Sequence, residues 1–196
     1  RRELIEKWRK DGTLDRPRLS APHIPKNLFI ITGGGSAALA DMQRLIADRW
    51  PDFSYTIIPV LVQGMGAPEQ LIQALKYAGN RADLIIIGRG GGSPEDLWSF
   101  NLESVCQAII DCPVPVVSAV GHESDLLVSD LIADVRASTP SNAVERVVPI
   151  KNELLALIAQ VGDRVDFAID NLFTKKNEKI SSMIIRLSAA PMKGIS

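Results

Sequence analysis

The 196-residue chain predicts an α/β fold, a doubly wound and mostly parallel sheet followed by a long, coiled-coil-like helical extension. Three observations carry that reading. Four short runs rich in Ile and Val do not alternate with polar residues, the pattern of strands buried on both faces. Helix-length segments separate them, the order that right-handed crossovers lay down on both faces of a parallel sheet. Beyond residue 140 the apolar residues recur at about 3.5-residue spacing, the period of a coiled-coil seam.

The charged, helix-like opening "RRELIEKWRKDG" lacks an initiator methionine and reads as part of a longer polypeptide, with residues 1–26 as a lead-in. The α/β domain, 27–140, begins with the strand "NLFIIT" (27–32) and the helix "SAALADMQRLIADRW" (36–50). The strand "YTIIPVL" (55–61), the helix "APEQLIQALKYAG" (67–79) and the strand "DLIIIG" (83–88) follow. A helix over 93–112 and the strand "VPVVSAV" (114–120) complete the pattern, for which strand order 2-1-3-4 is predicted, a Rossmann or flavodoxin-like arrangement. Ser93-Pro94-Glu95-Asp96 supplies a cap, a proline at the first helical position and acids near the positive end of the helix dipole. Thr139-Pro140-Ser141 repeats that grammar and opens the helical extension, 141–196. Pro149 should interrupt it early. A helix from 150 to 188, on the order of 55 Å long, would outrun the first domain and require a partner. The alternative is a hairpin folded back on the sheet, turning within "NLFTKKNEK".

Composition narrows the class. With 22 basic against 23 acidic side chains the net charge is −1, so any nucleic-acid site must be a local concentration of charge. Arg1, Arg2, Arg16, Arg18 and Lys26 form either a solvated face or a DNA track near the lead-in. The two cysteines, Cys106 and Cys112, fit buried structural thiols in a reducing compartment, which makes the cytoplasm the expected location. No signal peptide and no apolar run of about 18 residues occurs, so no membrane span is expected.

In open parallel sheets ligands bind beyond the carboxyl ends of the strands. "TGGGSAALAD" follows the first strand, "GRGGGSPED" the third and "AVGHESD" the fourth, so all three gather on one edge. The candidate phosphate-binding backbone is Thr32, Gly33, Gly34 and Gly35 in the first loop, and Gly90, Gly91, Gly92 and Ser93 in the second. There, glycine admits close approach and a helix presents its free N–H groups. Neither loop is a Walker A motif or a dinucleotide fingerprint. Arg89 adds a planar cation able to grip a phosphate bidentately. His122 has Asp125 at i+3 to orient or charge it, a general acid/base arrangement, and Asp41 lies a turn and a half into the first helix. His23 sits in a proline-bounded linker with no catalytic company. Together Asp41, Arg89, His122 and Asp125 beside a phosphate cradle suit phosphodiester hydrolysis. Mg²⁺ held by Asp41 and Asp125 with His122 is an open alternative to metal-free acid/base chemistry. A non-catalytic phosphate or nucleotide module, and an assembly protein acting through the long helix, are the rival classes.

The motifs "GRGGGSPEDLWSFN" (88–101), "SAVGHESD" (118–125) and "ADVRASTPSNAVE" (133–145) closely resemble the exodeoxyribonuclease VII large-subunit family, and the likeness extends through "KDGTLDRPRLSAPHIPKNLFIIT". The resemblance implies a nuclease degrading single-stranded DNA from either end into oligonucleotides. It also implies many copies of a small helical subunit as partner, self-association through the helical extension, and an N-terminal OB-fold outside this sequence. The family's catalytic residues carry over onto Asp41, Arg89, His122 and Asp125. One departure is Gly33-Gly34, where the family usually has a Ser-Pro or similar pair, so this loop should be looser.

Overall fold

The computed structural model describes residues 1–90, 94–121 and 126–188. The chain divides into two compact units, Arg1–Ile150 and the part from Lys151 onward. The first contains α1 (Arg2–Lys10), β1 (Leu28–Thr32), α2 (Ala37–Arg49), β2 (Tyr55–Pro59), α3 (Ala67–Gly79) and β3 (Leu84–Gly88). A 3-10 segment (Pro94–Asn101), α4 (Glu103–Ile110), β4 (Val116–Ala119), α5 (Val128–Ile132), β5 (Val135–Arg136) and α6 (Pro140–Val147) follow. All five strands are parallel, in the order β2-β1-β3-β4-β5. The expected 2-1-3-4 order is present, extended by a strand too short to leave an apolar run in the sequence.

Period-two strand geometry explains how this sheet is covered on both faces. Leu28, Ile30, Leu84 and Ile86 pack against Leu39, Met42 and Ile46 of α2 and Val144 and Val147 of α6. Phe29, Ile31, Ile85 and Ile87 pack against Leu71 and Leu75 of α3 and Val105 and Ile109 of α4. Every residue of β1 and β3 is buried, as their non-alternating sequences require. Each such aliphatic side chain contributes roughly 1.5–3 kcal/mol on leaving water. At the ends of α2 and α6 a single side chain joins the two helices: Arg49 donates from Nε to the Val148 carbonyl (2.7 Å) and from Nη2 to that of Glu145 (3.2 Å).

The lead-in is part of this packing. Trp8 of α1 is buried on the α3/α4 face. Arg16 Nη2 donates to the Ile132 carbonyl (2.7 Å) and pairs with Asp134 (3.0 Å), while Arg18 donates to the carbonyls of Ile132 and Leu131, both at 2.7 Å. Both arginines thus satisfy the carbonyls at the end of α5, where a helix leaves acceptors unpaired. Arg1, Arg2 and Lys26 are exposed. The Asp134 carboxylate, 1% exposed, also accepts from the amides of Leu19 and Val116, both at 2.9 Å, and so joins lead-in, sheet and helix.

The single helix expected over 93–112 is instead the 3-10 segment followed by α4. The break at Leu102 leaves Phe100 wholly buried and frees the Asn101 side chain to accept from Val128 N (3.0 Å) at the start of α5. Cys106 and Cys112 are buried free thiols, and burial, then the charges of Asp130 and Glu103, push the Cys106 thiol up to about 12.

The second unit contains α7 (Lys151–Ser188), one continuous helix of 38 residues, about 57 Å at 1.5 Å per residue. The hairpin alternative is overturned: "NLFTKKNEK" contains neither Gly nor Pro and is helical throughout. The break falls at Pro149, between α6 and α7, where a backbone donor is missing. None of the side chains of α7 is buried, including apolar Leu155, Ile158, Val165, Ile169, Leu172 and Ile180. Among the described residues no helix is long and apolar enough to cross a membrane.

Replacing Asp134 by Ala should cost about 3 kcal/mol of stability in urea unfolding at pH 7, because it strands Arg16 and two backbone donors in a buried site. Thiol-alkylating reagents at pH 8 should leave Cys106 unmodified in the native protein and label it only once denaturant unfolds the chain, since the thiolate is the reactive form.

Candidate active site

The strand order reverses between β1 and β3, so their carboxyl ends open onto a crevice. A cavity of about 530 Å³ lies there, lined by Ser36, Ala37, Ala38 and Asp41 from α2, Val62 and Gln63 after β2, Arg89 and Gly90 after β3, and Thr139, Pro140 and Ser141 from α6. Of the residues predicted from sequence, Asp41, Arg89 and Gly90 meet on this wall.

The first wall is the start of α2. Gly35 turns the chain with φ 67°, a left-handed conformation that only glycine adopts without cost, and Ser36 caps the helix by accepting from Leu39 N (3.2 Å). Ala37, Ala38 and Asp41 fall at helical spacings of three and four, so all face the cavity. Asp41 is more than half exposed and pairs with Arg44, 4.0 Å away on the same helix. Gly33, Gly34 and Gly35 lead into the wall without lining it, and Thr32 is wholly buried behind them.

Arg89 is 4% exposed at the end of β3. Its backbone N–H donates to the Ala119 carbonyl (3.3 Å), and its Nη2 donates to Gln63 Oε1 (3.3 Å). Gly90 brings this loop onto the first turn of α2: a Cβ at position 90 would lie 3.1 Å from the Ala38 Cβ. The third wall is the start of α6, capped by Thr139 Oγ1 accepting from Asn142 N (3.0 Å).

Charge is distributed to suit an anion. The first turns of α2 and α6 contain no acid, whereas every other α-helix among the described residues has one: Glu3, Glu69, Glu103, Asp130 and Glu153. The two helices that face the cavity thus keep the positive ends of their dipoles uncompensated by first-turn side chains, beside a guanidinium.

His122, Asp125, Gly91, Gly92 and Ser93 lie outside the described residues. The described flanks of 122–125 are held: Asp130 accepts from Ser118 Oγ of β4 (2.6 Å) and from Leu127 N (3.1 Å), tying the start of α5 to the sheet. Among the described residues no three His, Cys, Asp or Glu side chains are grouped to hold a metal ion, and Asp41 is the one described carboxylate on the wall.

Sequence reasoning missed Gln63, Thr139 and Ser141 as wall residues. "QGMGAP" is another glycine-bearing loop at a strand end, and Thr139 follows the unrecognised strand β5, so the same strand-end rule reaches both. If the Gly90 contact sets the approach of the two loops, Gly90→Ala should cost about 1–3 kcal/mol by overpacking. In an Ala38→Gly background, which removes the facing methyl, most of that cost should vanish, as a double-mutant cycle in urea will measure.

The family described as "Exonuclease VII, large subunit" matches residues 15–195. The exodeoxyribonuclease 7 large subunit of Nautilia profundicola is 42% identical over an alignment covering 97% of this chain and 45% of that protein. The protein of the same name from Haemophilus influenzae is 43% identical, covering 85% of this chain and 38% of its own length. That from Alkaliphilus oremlandii is 41% identical, covering 91% and 45%. The chain therefore spans less than half the length of these relatives, along nearly all of its own, and it belongs to the exonuclease VII large-subunit family.

Proposed function

We propose that this chain carries the catalytic site of a cytoplasmic nuclease that hydrolyses phosphodiester bonds of single-stranded DNA, exonucleolytically from either end, releasing oligonucleotides. The observation that carries this reading is a nearly buried guanidinium set between two helix N-termini without first-turn acids. Membership of a family whose relatives are named exodeoxyribonuclease 7 large subunit supports the substrate and the reaction. The working assembly adds small subunits and an OB-fold for single strands, and the exposed apolar side chains of α7 support its role in docking small subunits and in self-association.

In this mechanism the scissile phosphate enters the cavity with its non-bridging oxygens toward Arg89 and the opening amides of α2. A cation removed from solvent acts through a low dielectric, so it stabilises the extra negative charge of the pentavalent transition state more than an exposed one would. Gly90, on the same wall as Arg89, lets the phosphate approach the backbone closely. His122, oriented by Asp125, takes the proton of the attacking water and returns one to the leaving oxygen as the P–O bond breaks. Asp41, on the α2 wall of the cavity, positions that water. If Mg²⁺ takes part, Asp41 and Asp125 with His122 would hold it, and it would supply Lewis-acid stabilisation of the phosphate charge. Cleavage in excess EDTA separates the alternatives, since only the metal route is lost.

The test is hydrolysis of labelled single- and double-stranded DNA by the full-length complex. Wild type should prefer the single strand, and Arg89→Ala should lower kcat/KM by roughly 10²–10³-fold. Arg89→Lys, which keeps the charge and loses the planar fork, should fall in between. Equal rates for wild type and Arg89→Ala would sink the assignment.

A further inference from the structure

We infer that Gln63 touches the substrate: it supplies N–H donors to a non-bridging oxygen of the scissile phosphodiester while its carbonyl oxygen holds Arg89. This inference rests on the nuclease reading above and extends it to a residue that neither the glycine motifs nor the acid/base constellation includes.

Gln63 stands on the cavity wall in the loop between β2 and α3, and accepts from Arg89 Nη2 at 3.3 Å. A guanidinium has donors only, so the amide must turn Oε1 toward it, and this fixes which end of the side chain is left over. The remainder is Nε2 with two N–H groups, for which no acceptor occurs among the described residues. The loop is itself anchored. Leu61 N donates to Gln70 Oε1 of α3 (2.7 Å), and Val62 lies against the turn after β1, where a Cβ on Gly33 would sit 3.4 Å from Val62 Cγ2.

The choice of residue type argues for a ligand. A glutamate at position 63 would hold Arg89 more strongly, because a charge-assisted bond exceeds a neutral one. It would also set a carboxylate against an incoming phosphate. A glutamine holds the guanidinium without placing a carboxylate in the cavity and adds two donors beside it. For a residue whose only task is to fix Arg89, the amide is the weaker solution; for one that also receives an anion, it is the better one.

The experiment compares Gln63→Ala and Gln63→Glu in the full-length large subunit assembled with its small subunit. Steady-state cleavage of a labelled single strand is measured, with inorganic phosphate as a competing anion. Gln63→Ala should lower kcat/KM on the order of tenfold. Gln63→Glu, although it restores an acceptor to Arg89, should lower it on the order of 100-fold or more, mostly through KM, and weaken inhibition by phosphate. Because Gln63 is exposed, both variants should melt close to wild type. Activity of Gln63→Glu at or above that of Gln63→Ala would reduce Gln63 to a prop for Arg89 and overturn the inference, as would wild-type kinetics in both. Arg89→Ala in the same assay separates the two levels. If it is inactive while the Gln63 variants are normal, only the inference fails; if it is fully active, the nuclease reading fails with it.

Discussion

The handedness of the crossovers governs everything else in the first unit. A right-handed connection from β1 to β2 places α2 on one face of the sheet, and the connections from β2 to β3 and from β3 to β4 place α3 and α4 on the other. The chain thus leaves β1 and β3, which are neighbours, toward opposite faces. Between those departures the sheet edge is left uncovered, and no side chain had to be selected to create the opening. What selection had to supply is the lining, through the cap at Ser36, the arginine at the end of β3 and the glycine that lets the two loops touch.

Burying a guanidinium is costly, and a fold keeps one only where its hydrogen bonds and surroundings offset the loss of water. Arg89 meets that condition at the mouth of a crevice, with a sheet carbonyl on its backbone and a neutral amide on its Nη2. The consequence is a cation held before any ligand arrives, so little reorganisation accompanies binding. The same economy applies to the helix starts. Ser36 and Thr139 spend their hydroxyls on their own helices, each satisfying one orphan amide, and the other opening amides remain for whatever enters the cavity.

Much of this was legible in the sequence because it follows from periodicity and strand ends. The runs at 27–32 and 83–88 announce buried strands through their lack of alternation, and the sheet order follows from the β/α alternation. The convergence of Asp41, Arg89 and Gly90 follows in turn from their places after parallel strands. What was illegible depends on tertiary partners. Val135 and Arg136 form a strand only because β4 offers them an edge. The break before α4 reflects a bond from Asn101 to a residue 27 positions away. Arg16 and Arg18 look like surface charge until the end of α5, far along the chain, meets them. Gln63 is silent in sequence because its role requires an arginine 26 positions later.

Arg49 gives the arrangement an electrostatic meaning. α2 and α6 both start at the cavity, and Arg49 bridges their far ends, so the two helices run side by side in the same direction. Parallel dipoles repel, and a half-buried cation among the converging negative ends relieves that frustration at one pole, by roughly 0.3–2 kcal/mol. At the cavity the two helix starts have no such counterweight in their first turns. Among the described residues the protein balances one pole of the pair with Arg49 and places no acid in the first turns at the other, the pole at which the proposed phosphate would serve as counterion of the fold itself.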